Sequence, residues 1–364
     1  MIAQQQLLSD LLFRRSIEVL RRGQSASGAL IASPTFPVYR YAWLRDGAFC
    51  AHALDLVGER EAAARYHAWV SRSLEAHRQL IEAAIGQIDG GRTPPAEAMP
   101  PARYTLEGTL EPPDDDPWPN FQIDGYGTWL WALDQHLLGS RPSDAQLDTV
   151  RLVARYLTAT WRLKCFNCWE EFDGGEHAST LAAVYAGLVA AARMLNDAGH
   201  ATEAERVRGH LLDRFVIDGR FRRGALDDRL DGCLLWLDVP FRVLPSSDPR
   251  IVATVDAVRR DLVGPGGGLY RYLGDSYYGG GQWLLLTSSL AWRHAATGND
   301  HDFITAQHWV RGQATPNGAL PEQVSDHAQQ PAMTAPWLER WGPVATPLLW
   351  SHAMYLIAEV AAYG

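Results

Sequence analysis

Cysteine is scarce: four residues, Cys50, Cys165, Cys168 and Cys233, in a chain of 364. That is too few for a disulfide framework at this length, and it fits a reducing compartment. Cys165 and Cys168 form a C-x-x-C. No second such pair and no clustered His-x-x-x-His completes a zinc site, and no βαβ pattern surrounds them as in a thiol oxidoreductase. Two buried thiols are the expectation, and no metal is implied. Basic charge is also short, 33 Lys and Arg against 42 Asp and Glu. The basic residues are spread along the chain and form no stripe able to neutralise phosphates, so nucleic acid is not an expected partner. The stretch from Met1 to Arg22 mixes Arg14, Arg15, Arg21 and Arg22 into an apolar pattern and does not read as a basic tip followed by an apolar core. The longest apolar runs, such as Leu181 to Ala192, look too short and too rich in small residues for a bilayer span. The expectation is a cytoplasmic protein without membrane contact.

What the chain does have is apolar residues at 47% with charged residues at 21%, enough for a sizeable core. Apolar positions recur three and four apart over about 3 to 22, 47 to 58, 60 to 85, 124 to 138, 143 to 163, 178 to 196 and 200 to 216. The pattern returns over about 249 to 262, 282 to 297, 300 to 312 and 347 to 362. Glycines follow several of these segments where a helix C-cap is expected, as at Gly58, Gly139 and Gly298. Short links imply antiparallel hairpins. With Cys233 to Leu237 as a short twelfth member, the pattern predicts an all-α, six-hairpin (α/α)6 toroid, with residues 1–364 as a single domain.

Between the helical segments lie long loops, Gly91 to Pro119, Lys164 to His177, Gly264 to Gly281 and Thr315 to Pro347. Loops of that length in a compact domain are usually functional. Trp118, Trp169, Trp337, Trp341 and Trp350 fall in or beside them. Tryptophans beside carboxylates suit a sugar, whose axial C–H face packs on an aromatic plane while its hydroxyls seek charged partners. Anchoring of the loops is the alternative reading.

Five segments concentrate the chemistry. Tyr39-Arg40-Tyr41-Ala42-Trp43-Leu44-Arg45-Asp46 puts a fork of donors beside a pair of acceptors, suited to sugar hydroxyls; an N-cap Asp46 in a salt bridge explains it as well. Trp118 and Gln122, the better candidates for contact with a substrate, precede Asp124-Gly125-Tyr126-Gly127, where Asp124 reads as an N-cap and the glycines allow close helix packing. Trp169-Glu170-Glu171-Phe172 places two carboxylates between aromatics. Desolvation and like charge there raise a carboxyl pKa, as a general acid needs. Arg271, Asp275 and Tyr277 lie in a Gly-rich stretch that could aim them into a pocket or form a surface hairpin. Glu322 follows Pro321 in a loop poor in charge, where it could be held rigidly as a base or simply be solvated.

In order, Y-x-Y-x-W-x-R-D, W-x-x-x-Q-x-D-G, W-E-E, R-Y-x-x-D-x-Y-x-G-G, L-P-E-Q and W-S-x-A resemble glycoside hydrolase family 15, the glucoamylase-like enzymes, over roughly residues 35 to 360. The resemblance implies an (α/α)6 barrel, inversion at the anomeric carbon, Glu170 as general acid and Glu322 as general base. It further implies that Arg45, Asp46 and Arg271 hold the terminal glucose, that Trp43, Trp118, Trp169 and Trp350 line the pocket, and that Glu171 faces subsite +1. Tyr39 is expected near Glu322, with Tyr277 as a second candidate for steering the attacking water. An inverting pair acts through water, so no cofactor is implied. Neither a β-sandwich domain nor a starch-binding module is recognisable, which points to small soluble α-glucosides. Isomaltose, maltooligosaccharides and trehalose stay open as substrates. A sugar-sensing barrel would lack a catalytic carboxylate, and a phosphorolytic enzyme would carry a phosphate-binding cluster in place of the base.

Overall fold

The computed structural model describes residues 2–112, 118, 121–171 and 174–363, with side chains from Leu11 onward. Phe172, expected to flank the carboxylate pair, lies outside the described residues. Thirteen α-helices are described: α1 Ile2–Arg22, α2 Leu44–Leu56, α3 Arg60–Ala76, α4 Arg78–Asp89, α5 Asp124–His136, α6 Asp144–Thr160, α7 Ala178–Leu195, α8 Ala198–Arg214, α9 Pro249–Leu262, α10 Leu284–Ala296, α11 Asp300–Gly312, α12 Thr334–Trp341 and α13 Leu349–Tyr363.

The inner ring runs α2, α5, α7, the 3-10 helix Gly232–Leu237, α10 and α13, and closes when α13 packs back on α2. In chain order these six alternate with α1, α3, α6, α8, α9 and α11, which pack outside them. The result is the (α/α)6 barrel expected from hairpin periodicity. Burial explains the division. Inner helices such as α5 and α13 are covered nearly all round. Outer helices such as α3 and α6 bury one stripe only, as amphipathic helices do. The outer helices also carry the better start signals: a Ser143/Gln146 capping box opens α6, and Asp248 caps α9 ahead of Pro249. Gly58 (φ +87°) and Gly298 (φ +70°) end α2 and α10 in the left-handed region that favours glycine.

The sequence pattern is corrected in three places. The run 60 to 85 is two helices, because His77 leaves helical geometry to stack on Tyr104 at 5.7 Å and approach the Gly108 carbonyl at 3.1 Å. The loop 315 to 347 contains α12. Asp124 is the first helical residue of α5, not its cap. Helix α7 is, among the described residues, long and apolar enough to cross a bilayer, against the expectation from its central run. Most of it is buried in the ring, where α5 and α8 cover it.

Alternation makes the inner helices parallel, so their N-termini gather at one end. Short sheets stitch the loops there. Strand β1 (Ala42–Trp43) pairs antiparallel with β2 (Arg103–Tyr104), placing Trp43 opposite Arg103. Strands β3 (Val216–Ile217) and β4 (Arg220–Phe221) form a hairpin elsewhere. Strand β6 (Gln282–Trp283) lies between β5 (Leu269–Tyr270) and β7 (Gln323–Val324), with Trp283 opposite Gln323.

Candidate active site

A cavity of about 660 Å³ opens at this end, and Trp43, Arg45, Asp46, Glu170, Glu171 and Glu322 are among its walls. Glu170 sits in the loop before α7 with φ +64°, a strained value for a residue with a Cβ. Three donors hold its carboxyl. Trp43 Nε1 and Gln122 Nε2 each donate to Oε1 at 2.6 Å, and Trp118 Nε1 donates to Oε2 at 2.6 Å.

Glu322 is fixed differently. Its backbone N–H donates to the Ala345 carbonyl and its own carbonyl accepts from Leu284, so the residue is tied down just before β7. Tyr39 Oη donates to Oε1 at 3.0 Å and lies 3.1 Å from the Tyr277 hydroxyl. Oε2 is buried without a hydrogen-bond partner among the described residues. Burial pushes the Glu322 carboxyl up to about 8, against the Tyr39 hydrogen bond, the Arg271 charge and the Tyr277 hydroxyl, which lower it. Burial also raises Glu170, opposed by Arg45 and by the Gln122 and Trp43 hydrogen bonds. Two buried carboxyls therefore face one cavity with contrasting surroundings: one clamped by donors, the other with an open acceptor.

Arg45 and Asp46 occupy the first turn of α2. Arg45 Nη1 bonds Gln122 Oε1 at 2.9 Å and Asp124 Oδ2 at 3.1 Å, with its guanidinium 5.1 Å from the Trp350 ring. Arg45 Nε and Asp46 Oδ1 stand 3.2 Å apart as an ion pair but without hydrogen-bond geometry. Burial raises Asp46 to about 7 despite the adjacent Arg45. Trp283 Nε1 and Trp350 Nε1 are likewise buried and unpartnered among the described residues, and both residues line the same cavity. Buried polar atoms are normally paired. Five such atoms on one cavity wall, counting Glu322 Oε2, make a site that a ligand rich in hydroxyls would satisfy.

Arg271 is held by Asp275, through Nε at 2.8 Å and Nη2 at 2.6 Å, and its Nη2 also donates to Glu171 Oε1 at 2.6 Å. The Tyr272 hydroxyl bonds the other Glu171 oxygen. Trp169 lines the cavity with its Nε1 anchored on Asp231.

Of the fourteen site residues expected from sequence, twelve line the cavity. Gln122 and Asp275 do not: both are fully buried behind its wall. Their expected contact with substrate is corrected to a positioning role, Gln122 bridging Arg45 to Glu170 and Asp275 fixing Arg271. The Asp124 carboxylate supports Arg45 instead of capping a helix. Several lining residues escaped the sequence reading. Arg103 bonds Glu111 at 2.6 Å and lies over Tyr41, Trp43 and Trp118 at 4.1 to 4.8 Å. Arg340, Trp337 and Trp341 of α12 close another side, with Trp283. Trp337 and Trp341 carried a signal as loop tryptophans; Arg103 is an isolated arginine that only the β1–β2 pairing brings to the site.

A closed ring of helical hairpins that buries two carboxyls in an aromatic pocket at one end is the layout of a glycoside hydrolase. The chain belongs to the glycosyl hydrolases family 15, whose sequence profile matches residues 9–306, and it is an inverting enzyme of that class. It is 39% identical to the isomaltose glucohydrolase of Kribbella flavida, over 95% of this chain and 91% of that protein. A more distant similarity, 24% over 72% of this chain and 50% of the relative, links it to trehalase 2 of Sulfolobus acidocaldarius. Among solved structures, a glycosidase in complex with glucose is 38% identical and superposes with a TM-score of 0.93, covering 98% of each chain. A bacterial glucoamylase complexed with acarbose, at 21% identity, TM-score 0.73, 96% of this chain and 55% of that one, shares the fold.

Proposed function

We propose that this chain removes glucose from the non-reducing end of small α-gluco-oligosaccharides of the isomaltose type, releasing β-glucose, with Glu170 as general acid and Glu322 as general base. The observation that carries the assignment is the unpartnered Glu322 Oε2. A base must keep a lone pair free for the attacking water, and Glu170 has both oxygens engaged. Tyr39, with Tyr277 behind it, orients Glu322. Arg45, Asp46 and Arg271 receive the hydroxyls of the terminal glucose, Trp350 and Trp43 its apolar face, and Glu171 the sugar beyond the scissile bond.

In the sugar-free pocket Glu322 is pushed to about 8, high for a base. The pair holds one proton over a range of pH, and the productive form carries it on Glu170. A leaving sugar that displaces the Trp118 N–H from Glu170 removes a donor that favours its anion. Positive charge developing at the anomeric carbon favours ionised Glu322. Both shifts favour the productive form.

The resemblance to the Kribbella flavida enzyme favours isomaltose over trehalose, since the trehalase relative is more distant. The four cysteines are all unpaired and buried, which suits a cytoplasmic setting, and residues 1–364 would act as one catalytic domain. Parallel assays on isomaltose, maltose and trehalose test the linkage. The roles are separated with α-glucosyl fluoride, whose leaving group needs no protonation: Glu170→Gln should hydrolyse it far better than isomaltose, whereas Glu322→Gln should be slow on both. The reverse pattern would exchange the two roles.

A further inference from the structure

Away from the cavity, three helices bring together side chains that the hydrolytic reaction does not use. Asp55 is in the last turn of α2, His67 in the middle of α3, and His136 is the final residue of α5. One ligating atom from each lies within 4.8 Å of the other two. Asp46 and Asp55 are nine residues apart on one helix, so the cluster stands about 14 Å along α2 from the sugar pocket.

His67 is fully buried, and neither of its ring nitrogens has a hydrogen-bond partner among the described residues. Its ring faces that of His136 at 4.9 Å. A neutral imidazole offers one donor and one acceptor, and burying both unmatched is unfavourable. His136 Nδ1 meets the Asp55 carboxylate at 2.8 and 2.9 Å, a contact that an ion bound by both groups would replace. His52, one turn before Asp55, packs against Trp131 with its Nδ1 also unpartnered. The C-terminal turns of α2 and α5 both end here, and their carbonyl ends favour a cation.

We propose that His67, His136 and Asp55 bind one divalent transition-metal ion of zinc type, a structural ion pinning α2, α3 and α5 at the end of the ring opposite the active site. Two imidazole nitrogens and a carboxylate oxygen match the ligand preference of zinc, leaving a fourth position for water. Bonds of roughly 2.0–2.2 Å place tetrahedral ligand atoms about 3.4 Å apart. From separations of up to 4.8 Å the widest would close by about 1.4 Å, while the 2.8 Å contact between His136 and Asp55 would open by about 0.6 Å.

The test uses the untagged full chain, stripped with a chelator and titrated with zinc chloride alone. Wild type should take up one equivalent, by calorimetry and by metal analysis after desalting, and its thermal midpoint should rise as zinc is added. Cobalt(II) should give visible absorption bands of a low-coordinate site. His67→Gln should weaken the tight equivalent at least tenfold. Asp55→Asn, nearer the surface and less disruptive to folding, should do the same and lose the cobalt bands, with sugar hydrolysis by the stripped protein unchanged. Retention of less than half an equivalent by wild type, or equal affinity in wild type and Asp55→Asn, would overturn the proposal.

Discussion

Glu170 holds a left-handed backbone and a carboxyl clamped by Trp43, Trp118 and Gln122, an arrangement that favours chemistry over stability. Replacing Glu170 or Glu322 by Gln should each lower kcat on isomaltose by at least about 100-fold without unfolding, because each removes one proton transfer worth roughly 10² to 10⁴. Circular dichroism with steady-state kinetics checks both halves of that statement. The pH dependence follows from the pair. Below its lower pKa both carboxyls are protonated and the base is lost; above its upper one both are ionised and the acid is lost. With Glu322 pushed to about 8 and Glu170 also raised, kcat/KM for isomaltose should trace a bell with its alkaline limb near pH 8. An alkaline limb below about pH 6 would contradict it. Tyr39→Phe removes a hydrogen bond that lowers Glu322, so the alkaline limb should move up while activity falls. Much of this site was legible because its chemistry sits in short, dense motifs. Gln122 and Asp275 were misread because a polar residue in such a motif looks the same whether it touches the sugar or holds the residue that does.

Element by element, periodicity located the helices and could not see what interrupts them. The 60 to 85 pattern is continuous in sequence, yet His77 breaks it because Tyr104 and the Gly108 carbonyl, distant in the chain, hold it in place. Helix α12 was hidden inside a loop rich in proline and polar residues, and Arg103 reaches the pocket through a pairing of two-residue strands. Residues His67 and His136, 69 apart on separate helices, form no spacing motif, so their juxtaposition was invisible. The glycines of α5 were legible, and their reason is now concrete. A Cβ on Gly127 would stand 2.3 Å from the Ala183 carbonyl oxygen, and one on Gly187 would stand 2.6 Å from Gly127 Cα, so α5 and α7 meet backbone to backbone. Neither obstacle is a flexible side-chain end. Gly127→Ala and Gly187→Ala should each destabilise the fold by about 1–3 kcal/mol, the usual range for overpacking. Urea unfolding should show lower midpoints with little change in slope, and unchanged midpoints would mean that the ring has slack at this crossing.

For the molecule as a whole, the ring fixes which substrates can react. Its parallel inner helices set their first turns and preceding loops around one cavity, and the opposite ends of α2 and α5 terminate around Asp55 and His136. Arg45, Asp46 and Trp350 belong to the first turns of inner helices, so they form the closed floor of a pocket and not the wall of a through-groove. On the proposed reading a chain end enters and an internal segment of a polymer does not. The volume, about 660 Å³, falls within the range of pockets that enclose small ligands, and α12 with Trp337, Arg340 and Trp341 narrows the approach beyond it. Small α-glucosides should therefore outrun polymer: kcat/KM for isomaltose should exceed that for soluble starch, per non-reducing end, by at least about tenfold. Attack by a water on Glu322, opposite the leaving group, should yield β-glucose as the first product. Proton NMR recorded before mutarotation reads the anomer, and the same samples give the relative rates. An initial α-anomer would remove Glu322 from the role of base, while faster turnover of starch would leave that role intact and show instead that the α12 rim opens wide enough to admit a long chain.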